Sequence, residues 1–235
     1  MIKRLSFLLV VLPVVMLNSC MKDSSSPAPS PAGMFIIQAS PNAPNTDVYI
    51  DGQLSLQNIP YGTDTGYAYA TPGNYEFIVA QTGTSTAFVT QSFNLDTGTR
   101  YSIFFIDSVS KMKAVSVTDN FAVPIGDSVE IRYLDFCPDL QYHTIRFENT
   151  TTSDVFEQNG RSFNDQVYDT YKADFTIIKA GTYNVKFFLL GSGTPFKTIS
   201  NVPLLSGKAY TLYLKGFYNG TGTQAMDHAI IQHIL

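Results

Sequence analysis

One seven-residue frame occurs twice in the chain, and this repeat constrains the fold more than any other feature. Residues 95–101 read LDTGTRY and residues 204–210 read LLSGKAY, so both follow the pattern L-x-x-G-x-x-Y. A second pair precedes them, PGNY at 72–75 and AGTY at 180–183. A turn glycine followed by a tyrosine that opens a strand is a local signature of β-structure. The repeat therefore predicts one β-fold that is present twice.

The repeated corner resembles the tyrosine corner of immunoglobulin-like sandwiches, in which the phenol binds nearby backbone. The strands around it alternate, with Tyr210, Leu212 and Leu214 on one face and Thr211 and Lys215 on the other. Only 14% of residues are charged, while Tyr (14) and Phe (17) are frequent, as in packed sheets. We predict an all-β chain with two tandem immunoglobulin-like β-sandwich domains, residues 34–125 and 127–235, joined end to end.

The first 19 residues are typical of a secretory signal peptide. Lys3 and Arg4 precede the apolar run 5–17, which is short for a membrane span. The run ends in LNSC, which resembles the lipobox of bacterial lipoproteins, and this resemblance implies cleavage before Cys20 and lipidation of its thiol. An ordinary secretory signal with a chance cysteine is the alternative. The expected membrane partner is thus reached through lipid on Cys20.

Residues 20–33 form a predicted flexible tether, because a Ser- and Pro-rich segment cannot bury a core. Lys22-Asp23 resembles the lysine-plus-acid signal that directs some Bacteroidota lipoproteins to the outer face of the outer membrane. The single acid leaves a periplasmic orientation open. Without Lys3 and Arg4, 15 − 2 = 13 basic residues face 19 acidic ones, so nucleic acid is not an expected partner.

The first half carries a motif that continues into a strand. Residues 38–52 read QASPNAPNTDVYIDG and resemble domain of unknown function 4397, whose motif is H-A-S-P-x-A-P-x-V-D-V-Y-x-D-G. Gln38 stands in place of the family histidine and Thr46 in place of a valine. The resemblance implies a secreted or surface module without an assigned activity, with a diverged copy around 135–139 in the second half. Taken by themselves, Asp47 and Asp51 fit turn chemistry better than a metal site.

Residues with catalytic or metal-binding chemistry are scattered, so we predict no catalytic residue, metal or cofactor. Cys137 has only His143 nearby in sequence as a base, and a lone cysteine in an apolar strand fits a core position better than a nucleophile. His228 and His233 lie five apart and fall on opposite faces of a strand. The predicted function is a non-catalytic binding or adhesion module. The alternatives are a structural component of an outer-membrane assembly and a hydrolase with an unrecognised carboxylate pair.

The two halves differ by an insertion. Matching Met34 with Val129 gives an offset of 129 − 34 = 95, whereas Gly73 and Gly181 give 181 − 73 = 108, so about thirteen residues are added within 148–172. A polar loop with aromatic residues on a rigid sandwich is a frequent binding surface, although a decorated extra hairpin is the alternative. We predict that this loop binds a surface protein or a glycan and contributes little to the core. The predicted ligand-binding residues are Arg161, Phe163, Tyr168 and Tyr171.

The strand that begins at Tyr101 is apolar on both faces. Phe104 and Ile106 alternate with Ile103 and Phe105, so one face would contact its own core and the other would need a cover. Coverage by a loop or by the neighbouring domain is favoured over an exposed apolar patch that binds a ligand.

Overall fold

The computed structural model describes residues 28–233, so the predicted signal peptide, Cys20 and the first part of the tether lie outside the described residues. The first domain consists of β1 (Ala32–Gln38), β2 (Thr46–Ile50), β3 (Gln53–Ile59), β4 (Asp64–Ala70), β5 (Gly73–Gln81), β6 (Ala87–Leu95), β7 (Arg100–Ile106) and β8 (Lys113–Thr118). The second consists of β9 (Ser128–Asp135), β10 (His143–Asn149), β11 (Val155–Arg161), β12 (Thr176–Lys179), β13 (Gly181–Leu189), β14 (Lys197–Leu204), β15 (Ala209–Lys215) and β16 (Asp227–His233).

Each domain contains two four-stranded sheets with the same strand order. The sheets β4-β1-β7-β8 and β3-β2-β5-β6 form the first domain, and β12-β9-β15-β16 and β11-β10-β13-β14 form the second. In both domains the first strand pairs in parallel with the seventh and all other pairs are antiparallel. The prediction of an all-β chain with two sandwich domains is confirmed.

The tyrosines of both repeated motifs bind backbone in the same way in each domain. The N–H of Asp96 donates to the Tyr101 phenol at 3.2 Å, and the N–H of Leu205 donates to the Tyr210 phenol at 3.3 Å. In the upstream pair, the hydroxyl of Tyr75 donates to Thr71 O, and that of Tyr183 to Lys179 O, both at 2.7 Å. These bonds explain why glycine, which adopts a positive φ at Gly98 and Gly207, is followed at fixed spacing by tyrosine.

The register of the strands corrects the predicted offset between the halves. Met34 pairs with Tyr101, and Ile131 pairs with Tyr210, so the counterpart of Met34 is Ile131, at 131 − 34 = 97. The insertion is therefore 108 − 97 = 11 residues long, shorter than the predicted thirteen. Most of it lies between β11 and β12, where residues 162–175 replace the short connection 60–63 of the first domain. We call residues 162–175 the inserted segment.

The two domains pack face to face through one sheet of each, so the end-to-end arrangement was wrong. Phe104 and Ile106 are fully buried, and the ring of Phe104 lies 4.6 Å from that of Phe136 and 5.3 Å from that of Tyr213. The neighbouring domain is thus the cover that the doubly apolar strand needs, as favoured from the sequence. One apolar cluster joins the domains and includes Phe35, Ile37, Phe104, Ile106, Val117, Leu134, Phe136, Tyr213 and Ile231.

A buried ion pair lies within the same interface. Arg132 Nη2 contacts Asp119 Oδ1 at 2.6 Å, and both side chains have 0% exposure. Asp119 also accepts hydrogen bonds from Tyr67 and Ser102 of the first domain, at 2.6 and 2.8 Å. Arg132 donates further to Thr211, which the alternation had placed on an outward face. The outward face of the sheet β12-β9-β15-β16 therefore faces the first domain.

Candidate functional site

Arg161 is buried at the end of β11 and its hydrogen bonds are made inside the protein. Its Nε and Nη2 donate to the two carboxylate oxygens of Asp165 at 2.9 and 3.0 Å, and Nη2 also donates to Tyr133 O at 3.0 Å. The guanidinium lies over the Tyr133 ring, 4.8 Å from its centroid. The bidentate contact expected with a ligand is thus made with Asp165, and Arg161 fixes the start of the inserted segment.

The carboxylate of Asp165 contacts a second cation in addition to Arg161. Lys172 Nζ lies 3.3 Å from Asp165 Oδ2, so one carboxylate holds cations from both ends of the segment. Burial by itself would raise the pKa of Asp165, but the hydrogen bonds and charge of Arg161 outweigh it and lower that pKa. Asp165 therefore stays ionised. The expectation that the loop contributes little to the core is corrected, because its first turn is a buried polar anchor.

The three predicted aromatic residues lie in different surroundings. Phe163 is half-buried against the interdomain cluster, with Lys113 Nζ 5.2 Å from its ring centroid. Tyr168 and Tyr171 are 87% and 68% exposed on the short 3₁₀ turns of the segment. The structure thus separates Arg161 and Phe163, which support the segment, from two tyrosines that it presents to solvent. Whether these tyrosines bind a ligand stays a prediction.

A groove of about 510 Å³ runs between β8 of the first domain and the inserted segment. The residue Gln166 lines it, is 5% exposed, and has a buried Oε1 without a hydrogen-bond donor among residues 28–233. Sequence reasoning could not locate this groove, since its walls are 50 residues apart in the chain. The groove is lined by Ser116, Val117, Thr118, Asn120, Gln166, Val167, Thr170, Ala173 and Asp174.

Two smaller cavities also touch β11 or the inserted segment. One of about 450 Å³ includes Ser162 and Phe163 together with the exposed side chains of Tyr142 and Leu190. Another, of about 200 Å³, lies beside Arg161, Tyr171 and Lys172. Three cavities therefore adjoin β11 or the inserted segment, and none of the three is lined by all four predicted residues.

Cys137 and His143, the candidate nucleophile and its candidate base, are buried. Cys137 has 0% exposure, and burial raises the pKa of its thiol, so the nucleophilic thiolate is disfavoured. His143 binds Tyr133 through Nε2 at 2.6 Å and the carbonyl of Gln141 through Nδ1 at 3.2 Å, and neither atom contacts the thiol. Burial lowers the pKa of His143 to about 4. This arrangement positions core groups and offers no open reaction site.

The motif residues of the first half hold turns. Gln38 is buried, accepts a hydrogen bond from Ser40 N–H at 3.0 Å and donates to Thr46 at 2.9 Å. Asp47 accepts from the N–H groups of Asn58 and Gly83 at 2.8 and 3.1 Å. These contacts agree with the turn chemistry expected for Asp47.

The described residues contain neither a group of three potential metal ligands nor a long apolar helix. Between residues 28 and 233 no three His, Cys, Asp or Glu side chains converge as metal ligands would. Within the same range, no helix has the length and apolar character to cross a membrane.

Comparisons with known proteins give a family for the first half. The model of the family Domain of unknown function (DUF4397) matches residues 32–142, which span β1 to β9. No curated protein matches the chain. Among solved structures, a streptococcal virulence factor described for α-glucan binding is 10% identical, with 77% of this chain and 92% of that chain covered and a TM-score of 0.24. A leucine-rich repeat protein from Bacteroides thetaiotaomicron is 13% identical, with 77% and 25% covered and a TM-score of 0.21. Residues 32–142 are therefore similar to the DUF4397 family, in agreement with the resemblance of residues 38–52.

Proposed function

We propose that the protein is a non-catalytic binding module, anchored to the outer membrane through lipid on Cys20, whose binding surface is the exposed side of the inserted segment. The observation that carries this proposal is the contrast within the segment. Its base is fixed by the Arg161–Asp165 pair, while Tyr168 and Tyr171 stand exposed. Aromatic side chains on a fixed backbone bind with little loss of conformational entropy, which is why they dominate many interfaces.

The non-catalytic part of the proposal is supported by the burial of the reactive groups. Asp135, Cys137 and His143 each have 0% exposure, so a substrate could reach none of them without opening the domain. General acid–base catalysis needs a titrating group within hydrogen-bond reach of the substrate. A groove with mainly hydroxyl and amide side chains fits recognition better than chemistry.

The tyrosines give the first test. We expect Tyr168→Ala/Tyr171→Ala to lower binding to any partner found on a protein and glycan array by about 100-fold, since interface tyrosines often contribute about 2 kcal/mol or more. Tyr69→Ala is the matched control, because Tyr69 is 65% exposed on the first domain, and it should bind as the wild type does. An equal loss of binding in the double tyrosine variant and in the control, or no loss in either, would contradict the proposed binding surface.

The anchor has its own test. Cys20→Ala should move the protein from the membrane pellet to the soluble fraction and abolish incorporation of labelled palmitate, because a lipid chain is the proposed attachment. Protease treatment of intact cells then distinguishes surface display from a periplasmic orientation. A Cys20→Ala protein that still pellets, beside an unlabelled wild type, would refute the anchor.

A further inference from the structure

Strand β8 is the edge of the sheet that faces the second domain, and half of its backbone groups have no strand partner. β8 pairs with β7 on one side only. The N–H of Asp119 donates to Arg100 O at 2.7 Å, which fixes the phase of this antiparallel pair. Every second residue counted back from Asp119 bonds to β7. The residues between them, Ala114, Ser116 and Thr118, therefore direct their backbone N–H and C=O groups away from β7.

A side-chain contact supports this assignment. Arg132 Nη1 donates to Thr118 O at 3.0 Å, and this carbonyl could not be reached if it pointed toward β7. The N–H groups of Ser116 and Thr118 and the carbonyl of Ser116 have no backbone partner within residues 28–233. Edge strands with free donors and acceptors are templates for an added strand unless they are blocked.

The inserted segment covers this edge without pairing with it. It forms the far wall of the 510 Å³ groove, and β8 forms the near wall. An added strand lies about 4.8 Å from its neighbour, and six residues of β8 span about 20 Å. Val117 and Ala173 line the groove and also belong to the interdomain apolar cluster, so the groove continues an existing interface.

The lining favours a peptide over a sugar. The side chains of Tyr168 and Tyr171 do not line the groove, so it has no aromatic platform for a sugar ring, whereas its near wall offers backbone donors and acceptors in strand geometry. Its charged lining residue is the exposed Asp174, whose carboxylate makes no ion pair among the described residues. Such a groove is complementary to a peptide that carries Lys or Arg.

We propose that the protein binds an extended peptide with a basic residue, which adds to β8 as a fifth strand of the sheet β4-β1-β7-β8. The groove lies on the β8 side of the inserted segment and is not lined by Tyr168 or Tyr171, so this inference goes beyond the proposed function. The free groups of Ser116 and Thr118 supply the main-chain hydrogen bonds, and Asp174 selects the basic side chain.

A library of random seven-residue peptides, screened against the full chain, tests the proposal. We expect selected peptides to be enriched in Lys or Arg and to slow hydrogen exchange at the N–H groups of Ser116 and Thr118. Ser116→Pro removes an outward N–H and no bond to β7, as proline can do on an edge strand, and should weaken binding at least tenfold. Ser116→Ala keeps the N–H and should bind within twofold of wild type.

A second variant keeps the test informative if Ser116→Pro fails to fold. Asp174→Asn should remove the preference for basic peptides while the melting temperature stays unchanged. No enriched peptide, or selected peptides that bind Ser116→Pro as they bind wild type, would overturn the strand addition. If the peptide test fails while binding to a partner on the protein and glycan array still depends on Tyr168 and Tyr171, the proposed function stands and only the peptide groove is excluded.

Discussion

Replacing Arg132 by methionine is expected to lower the free energy of unfolding by about 3–5 kcal/mol, because it leaves the Asp119 carboxylate buried without its cation. Asp119 would retain the hydrogen bonds from Tyr67 and Ser102, which are neutral donors and do not compensate its charge. Urea denaturation followed by tyrosine fluorescence measures the loss. Removing the acid as well, in Arg132→Met/Asp119→Asn, should recover part of the stability, since no uncompensated charge then remains.

The matched control is Arg146→Met. Arg146 also contacts carboxylates, Glu157 and Glu148, but its side chain is 38% exposed, and exposed ion pairs contribute at most about 1 kcal/mol. A loss of less than 1 kcal/mol in Arg132→Met would show that the interface does not depend on this pair. Because Asp119 binds Tyr67 and Ser102 of the first domain as well as Arg132 of the second, the pair links the two domains. We therefore also expect the wild type to unfold in one transition and Arg132→Met in two.

The sequence predicted those parts of the fold that depend on local geometry. The spacing of glycine and tyrosine in L-x-x-G-x-x-Y follows from a turn with positive φ and a phenol that accepts the N–H five residues earlier, and both copies keep these contacts. The alternation of apolar and polar residues identified the core faces of the strands, because it too depends on the local geometry of the strand. The doubly apolar strand indicated that a loop or the neighbouring domain covers it, but alternation could not show which of the two does so, or what covers Thr211.

In the candidate site, too, some features were predictable from the sequence and others were not. An arginine in a polar loop can bind a ligand or an internal carboxylate, and only the structure shows that Arg161 binds Asp165. The spacing of four residues between them gave no signal, because residues four apart are neighbours on a helix and Arg161 ends a strand. The exposed Tyr168 and Tyr171 agree with the polar character of the loop. The groove beside β8 had no sequence signal, because its walls come from different domains.

Asp135 occupies the position in the second domain that Gln38 occupies in the first. Each side chain accepts the N–H two residues later, from Cys137 at 2.8 Å and from Ser40 at 3.0 Å. The difference is that Asp135 can ionise. Its Oδ2 is buried, lies 3.8 Å from Nδ1 of His143, and has no hydrogen-bond partner in the described chain. Since burial keeps His143 neutral above about pH 4, the two residues form no ion pair at neutral pH.

Asp135→Asn is therefore expected to stabilise the protein at pH 8 and to have little effect near pH 4. Burial raises the pKa of Asp135 to about 8, whereas the carboxyl titrates near 3.8 when unfolded. Between these values the folded state holds a proton that the unfolded state has lost, so wild-type stability falls as pH rises, by up to about 1.4 kcal/mol per pH unit. Asparagine does not titrate, so the variant should lack this decline.

The measurement is the difference in unfolding free energy between Asp135→Asn and wild type from pH 5 to 8. Protonation of His143 and His233, whose pKa values burial lowers to about 4, destabilises both proteins equally as pH falls, so the difference isolates Asp135. Asp139→Asn is the control of opposite sign. Asp139 accepts the N–H of Asn219 at 3.0 Å and its pKa is lowered, so its loss should destabilise at every pH above about 4. Parallel curves for Asp135→Asn and wild type would mean that Asp135 is ionised in the folded protein, with a donor on Oδ2.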